Sequence, residues 1–407
     1  MRYLTRLVDP WIREILSSAP AVMITGARAA GKTTTALRHA ASVVRLDRQR
    51  EAVPFRADPD AALRDRPEPV LLDEWQECPE VLGAVKRAVD AERRSGRFIL
   101  TGSVYSDADP ALWPGTGRLI RVPMHPLAVR ERISYKGRPF LDRILGGEVI
   151  EAPAETPDLR GYVEMALRGG FPEPAVQLPD RVGRQWLADY VERLAQGQPR
   201  RGKGLDTTRL RKFFGVYALN SAGVATDTTL CQAAEIDRRT AQAYTRLLGD
   251  LGAIAELPAW SSNGLKRLTR APKRYLADTG LWGAAVGADA ALVMSDGDLL
   301  GRLIETFVIN QLRAEVSVDP HRPQLHHLRD GDGRHEVDLI ADLGVRGIVA
   351  IEIKAHSAPY SRHARHLNWL RDRLGDRFLA GVLLHTGPAV YQLTDHVQAV
   401  PISAIWS

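Results

Sequence analysis

Cysteine is nearly absent from this chain: Cys78 and Cys231 are its only two, far apart and in no metal-ligand spacing. A disulfide scaffold and a cysteine zinc site are both excluded, and a reducing compartment is expected. No apolar run reaches the length of a membrane span. The N-terminus, MRYLTRLVDPWIREIL, is charged where a secretory signal would be apolar, so the expectation is a cytoplasmic protein with no membrane partner. Hydrophobic content of 44% and charged content of 26% are those of a globular chain. At 407 residues, it is too long for one ordinary core.

Charge is modest in total and uneven in placement. The net charge is +6, yet residues 181–275 alone hold 17 lysines and arginines against 8 acids. A basic middle between near-neutral ends suits either a polyanion surface or a plain solvated face.

The stretch AVMITGARAAGKTTTALRHA reads as an apolar strand, a small-residue loop and a helix. The loop fits G-x-x-x-x-G-K-[ST] over Gly26, Ala27, Arg28, Ala29, Ala30, Gly31, Lys32 and Thr33, with Thr34 following. Glycines let backbone N–H groups wrap phosphates, Lys32 would bridge the outer phosphates, and the Thr33 hydroxyl would ligate magnesium. A second strand, Val70 to Leu72, ends in Asp73 and Glu74, which suits an acid holding magnesium and a neighbour polarising water. A third, RFILTGS, ends in Thr101, Gly102 and Ser103. Polar residues at parallel strand ends gather at one crevice, where nucleotide binds.

TGARAAGKTT, LLDEWQ, ILTGS, GRLIRVPMHPLAVRE and GGFPE together resemble a family of bacterial and archaeal AAA-type P-loop ATPases with a C-terminal domain of unknown function. The resemblance implies ATP and magnesium as ligands, Asp73 and Glu74 as the magnesium and water-activating acids, and Ser103 or Thr101 as sensor of the γ-phosphate. Arg28 stands where that family usually has a loop arginine. Arg118 is either a sensor arginine or a surface arginine. Expected partners extend to further copies of the chain, in a homo-oligomer.

Residues 135–158 are rich in Gly, Pro and Glu, which places a boundary there. The expected architecture is α/β: a P-loop ATPase domain over 1–134, a linker and helical connector over 135–205, a winged-helix-like domain over 206–285, and a restriction-endonuclease-like α/β domain over 290–407. In the third segment a short helix, a turn near Ile236-Asp237 and a second helix carry Arg238, Arg239 and Arg246, with Ala243, Leu247, Leu248, Leu251 and Ile254 as the apolar side. A basic wing with Lys266, Arg267, Arg270, Lys273 and Arg274 follows. This pattern suits double-stranded DNA or RNA, and equally a protein-interaction module.

Near the end, HEVDLIADLGVRGIVAIEIKA alternates apolar and polar residues around a glycine turn. A turn centred on Val345 pairs residues whose numbers sum to 690, so Leu339 faces Ile351, Glu336 faces Lys354 and Asp338 faces Glu352. Two carboxylates held opposite each other need a cation, a shared proton or a different register. Magnesium, with manganese as an alternative, would be a natural occupant. The spacing is also the D-x(n)-E-x-K signature of restriction-endonuclease-like folds. That resemblance implies Glu305, Asp338 and Glu352 as metal ligands and Lys354 as a catalytic lysine, or a frame that binds without cutting.

Overall fold

Short runs of Val, Leu and Ile, buried along their whole length, form the centre of the first half of the chain. They are β1 (Ala21–Thr25), β3 (Val70–Asp73) and β4 (Phe98–Gly102), joined by β2 (Ser42–Arg45) and β5 (Leu119–Pro123). Burial on both faces is what parallel strands covered by helices require. All pairings are parallel, in the order β2-β3-β4-β1-β5. One edge therefore collects the C-terminal ends, with Thr25 beside Gly102 and Arg45 beside Asp73. The helix Val81–Ala91 presents Val81, Leu82, Val85 and Val89 to Leu72, Phe98 and Leu100. Each such fully buried side chain contributes about 1.5–3 kcal/mol.

The computed structural model describes residues 3–102, 117–196, 206–261, 271–330 and 333–407. Two compact units emerge: Met1–Leu127 with Leu247–Ala253, and Ala128–Arg246 with Ile254–Ser407. The Gly/Pro-rich stretch expected as a boundary starts inside the second unit. Buried Arg130 pairs with buried Glu315, Val129 N–H donates to Gln311 at 2.7 Å, and Phe140 N–H donates to Glu315 at 3.0 Å.

Helices build the first part of the second unit. The GGFPE motif has a packing reason: Gly169 has φ of +68°, and a Cβ there would lie 2.5 Å from Asp278 Oδ1. Asp278 accepts from Gly170 N–H at 2.6 Å and caps the helix Thr279–Val286 through Leu281 N–H. The paired helices Asp227–Ala234 and Arg238–Asp250 lie where the sequence pattern places them. Their turn passes through left-handed Glu235. The second helix buries Ala241, Tyr244 and Leu248, while Ala243, expected inside, is exposed. The next strands, β6 (Ile254–Leu257) and β7 (Lys273–Leu276), pair antiparallel.

The end of the chain forms a six-stranded sheet. Its strands are β8 (Gln324–Arg329), β9 (Glu336–Asp342), β10 (Ile348–Lys354), β11 (Phe378–His385), β12 (Tyr391–Thr394) and β13 (Val397–Pro401), in the order β12-β13-β11-β10-β9-β8. The helix Gly297–Val316 precedes them, started by Asp296 accepting from two backbone N–H groups. Strands β8, β9 and β10 form an antiparallel meander, and the helix Arg365–Leu374 carries the chain to β11, parallel to β10. Leu367 and Leu370 of that helix pack with Val337, Ile340, Ile348 and Leu383. The β9–β10 register follows the expected sum, with Leu339 opposite Ile351 and Ile348 opposite Asp342. Val345 at the turn is fully exposed.

Candidate active site and a second charged cluster

The phosphate loop takes its shape from positions that tolerate positive φ. Gly26 and Gly31 have φ of +148° and +98°, and Ala29 adopts +62°. A Cβ on Gly26 would meet the Met124 carbonyl oxygen at 2.1 Å, so only glycine fits. Ala27 and Ala30 are buried, whereas Arg28, Ala29 and Thr34 are exposed. The Lys32 side chain is buried and folds back, donating to the carbonyls of Gly26 (3.0 Å) and Ala27 (2.8 Å). Burial pulls its ammonium down to about 8, Glu74 and Asp73 oppose that, and Arg28 adds to it.

The neighbouring strand ends meet at this loop. The Thr33 hydroxyl donates to Asp73 Oδ1 at 2.7 Å, and the fully buried Thr101 hydroxyl donates to the same oxygen. Glu74 sits in the left-handed region at φ of +55°, where its N–H donates to Thr101 Oγ1 at 3.3 Å and its carboxylate accepts from Gln76. A hydroxyl and a carboxylate this close are hard oxygen donors of the kind magnesium selects, so these residues fit that ion. Ser103 lies outside the described residues.

Arg118 is not part of this edge. It immediately precedes Leu119, whose partner is Ala21 at the start of β1. The loop follows the other end of β1, about 16 Å away at the rise of a five-residue strand. Arg118 instead pairs with Asp90 at 2.8 Å. The sensor role is thereby corrected for this chain's own loop, because strand direction puts the residue at the wrong end.

Sequence reasoning missed the support behind the loop. Buried Arg6 donates to the loop carbonyl of Ala30 (2.9 Å) and to the His125 carbonyl (2.6 Å). Buried Asp9 accepts from Arg6 N–H (2.7 Å) and from the Tyr3 hydroxyl (2.8 Å), and it pairs with His39. No local motif announces these contacts, which join residues as far as 119 positions apart.

The C-terminal carboxylates do come together, but not around a vacancy. Asp338 and Glu352 are buried, and so is Lys273, at 2% exposure. Lys273 Nζ lies 2.7 Å from Glu305, 3.0 Å from Asp338 and 3.3 Å from Glu336. The second Asp338 oxygen accepts Ile353 N–H at 2.9 Å, where the β9–β10 ladder has already ended. A bulge adjoins this geometry: β8 pairs His326 with Ile340 and Leu328 with Val337, so His327 alone stands against Leu339 and Asp338, one residue against two. The expected Glu336–Lys354 pair is absent, since Glu336 turns to Lys273 and Lys354 bonds Glu352 at 2.6 Å.

Electrostatics follow the burial. Burial and the Asp338 charge push Glu352 up to about 8, partly offset by Lys354. Burial and Asp338 push Glu305 up to about 7 against the pull of Lys273. Burial alone would raise Asp338, but Lys273 and Lys354 hold it below the usual carboxylate range. With an ammonium among Glu305, Asp338 and Glu336, the residues do not fit a divalent ion. Among the described residues, the group of three whose ligand atoms converge is Asp142, Asp319 and His321, not the expected Glu305, Asp338 and Glu352.

The basic surface is smaller than expected. Arg238, Arg239 and Arg246 are exposed. Arg274 is buried against Asp227 and the Ala225 carbonyl, and Lys273 is occupied as described. Neither reaches a phosphate, because internal acids hold both. Lys266, Arg267 and Arg270 lie outside the described residues.

Family models match this chain in three segments. Residues 18–133 match the AAA domain family. Residues 159–292 and 300–405 match two families described as domains of unknown function, DUF8612 and DUF4143. The uncharacterized proteins Rv2008c of Mycobacterium tuberculosis and Mb2031c of Mycobacterium bovis are each 27% identical over 399 residues, covering 97% of this chain and 82% of theirs. A solved structure, the Walker-type ATPase PABY2304 of Pyrococcus abyssi, is 15% identical with a TM-score of 0.39, over 68% of this chain and 94% of that one. No helix among the described residues is long and apolar enough to cross a membrane.

Proposed function

We propose that this protein hydrolyses ATP with magnesium at the edge where β1, β3 and β4 end. The observation that carries the reading is Asp73, which joins the phosphate-loop Thr33 and the strand-end Thr101 through one carboxylate oxygen. Lys32 leaves the Gly26 and Ala27 carbonyls for phosphate oxygens, exchanging neutral partners for anionic ones. Glu74, oriented by Gln76 and Thr101, accepts the proton of the attacking water. The water oxygen bonds to the γ-phosphorus as the bond to the β-phosphate oxygen breaks, releasing ADP and phosphate. Magnesium, when bound through Thr33 and Asp73, supplies neutralisation of the developing charge.

The second unit is the module on which this cycle acts. Exposed Arg238, Arg239 and Arg246, on the second helix of a helix–turn–helix pair, support a winged-helix-like contact to double-stranded DNA or RNA. Calorimetry and phosphate release test the ATPase reading. Glu74→Gln should keep nucleotide binding while slowing turnover by about 10²-fold or more, the usual contribution of a general base. Lys32→Ala should lose binding. Unchanged hydrolysis in both variants refutes the assignment.

A further inference from the structure

We infer that the Lys273 ammonium is the resident cation of the Glu305–Asp338–Glu336 cluster, so that the C-terminal sheet holds no divalent metal and does not cut nucleic acid. An ammonium has three N–H donors. Here three carboxylates surround it, at 2.7, 3.0 and 3.3 Å. Those separations suit N–H···O bonds; magnesium demands oxygens at about 2.0–2.1 Å, which cannot converge with Nζ between them.

Strand alternation explains how the lysine arrives. Lys273 and Tyr275 share one face of β7, and Tyr275 donates its hydroxyl to Glu305 at 2.7 Å. Arg274, on the opposite face, is taken by Asp227. One strand thus fills the cluster with its ammonium and fixes the helix glutamate beside it. The remaining acid of the expected set, Glu352, is committed to Lys354 at 2.6 Å. Each acid of the expected set therefore meets an ammonium supplied by the chain itself, Glu352 through one of its two oxygens. In place of a metal, the cluster forms an electrostatic clasp between the β6–β7 pair and the six-stranded sheet.

This inference is independent of the ATPase reading, and its test silences the nucleotide site. In full-length protein carrying Asp73→Asn, without nucleotide, manganese uptake is followed by loss of the free-ion EPR signal. With Lys273 present, adding Asp338→Asn should leave uptake unchanged, because Asp338 holds no metal. Lys273→Ala should raise manganese affinity at least ten-fold, and Asp338→Asn should erase that gain. If Lys273→Ala does not fold, the comparison in the Lys273 background decides alone, together with supercoiled plasmid incubated with manganese. Uptake that falls by one equivalent on Asp338→Asn while Lys273 is present overturns the inference. So does manganese-dependent nicking by the otherwise unaltered chain that Glu352→Gln abolishes.

Discussion

Replacing Glu352 by glutamine isolates the proton held in the buried cluster. Glu352 is 3% exposed, and burial together with Asp338 raises its carboxyl from an ordinary 4.5 to about 8. A raised folded value means stability that is complete below about pH 4.5 and is lost as the pH climbs through 8. Linkage over pH 5 to 8.5 makes that loss about 4 kcal/mol, and relaxation of the neighbours lowers the expectation to about 2–4 kcal/mol. Glutamine mimics the protonated acid and has nothing to lose. Buried His327 and His385, both pushed down to about 4 by burial, tilt stability the other way below pH 6.5. They are common to both proteins and cancel in the difference. Urea unfolding of the full chain at pH 5, 6.5 and 8.5 should therefore show the Glu352→Gln protein near wild type at pH 5 and more stable by that amount at pH 8.5. Curves that stay parallel across this range refute the reasoning.

Two other outcomes can be checked directly. Glu315→Gln leaves the Arg130 guanidinium buried with a weakened partner, and Glu315→Ala leaves it with none; the latter should cost about 3–5 kcal/mol in urea unfolding, the range for breaking a buried pair. If Arg238 and Arg239 meet phosphates, duplex affinity measured by anisotropy should fall steeply with salt, each alanine replacement flattening the logarithmic slope by about one unit, whereas binding indifferent to salt would point to a protein partner.

The phosphate loop was legible because its signal is local: glycines at positive φ, a lysine and a hydroxyl within eight consecutive residues. The β9–β10 register was legible for a similar reason, since a glycine-flanked turn and a period of two leave one alignment that buries Leu339 and Ile351. What could not be read depends on partners distant in sequence. Lys273 meets Asp338 from 65 positions away, and nothing in APKRYLADTG distinguishes a lysine turned inward from one aimed at a phosphate. Arg118 illustrates a different difficulty, because a candidate is placed by which end of a strand it occupies, and that follows from sheet direction rather than residue type. Alternation in β9 and β10 suggests one wet face, yet both strands are buried on both faces, with only Glu336 and Lys354 at their ends partly exposed.

The origin of the Lys273 ammonium has a practical consequence for dissecting this protein. A fragment cut to the last matched family segment, residues 300–405, would keep Glu305 and Asp338 but leave Lys273, which holds them both, behind. Its carboxylates would scavenge whatever cation the buffer offers, and manganese or calcium would bind, raise its melting temperature and pass for a native requirement. Fragments beginning upstream of β6 would carry their own counter-charge and be free of that artefact. Where the chain is cut thus decides whether the same sheet behaves as a metalloprotein.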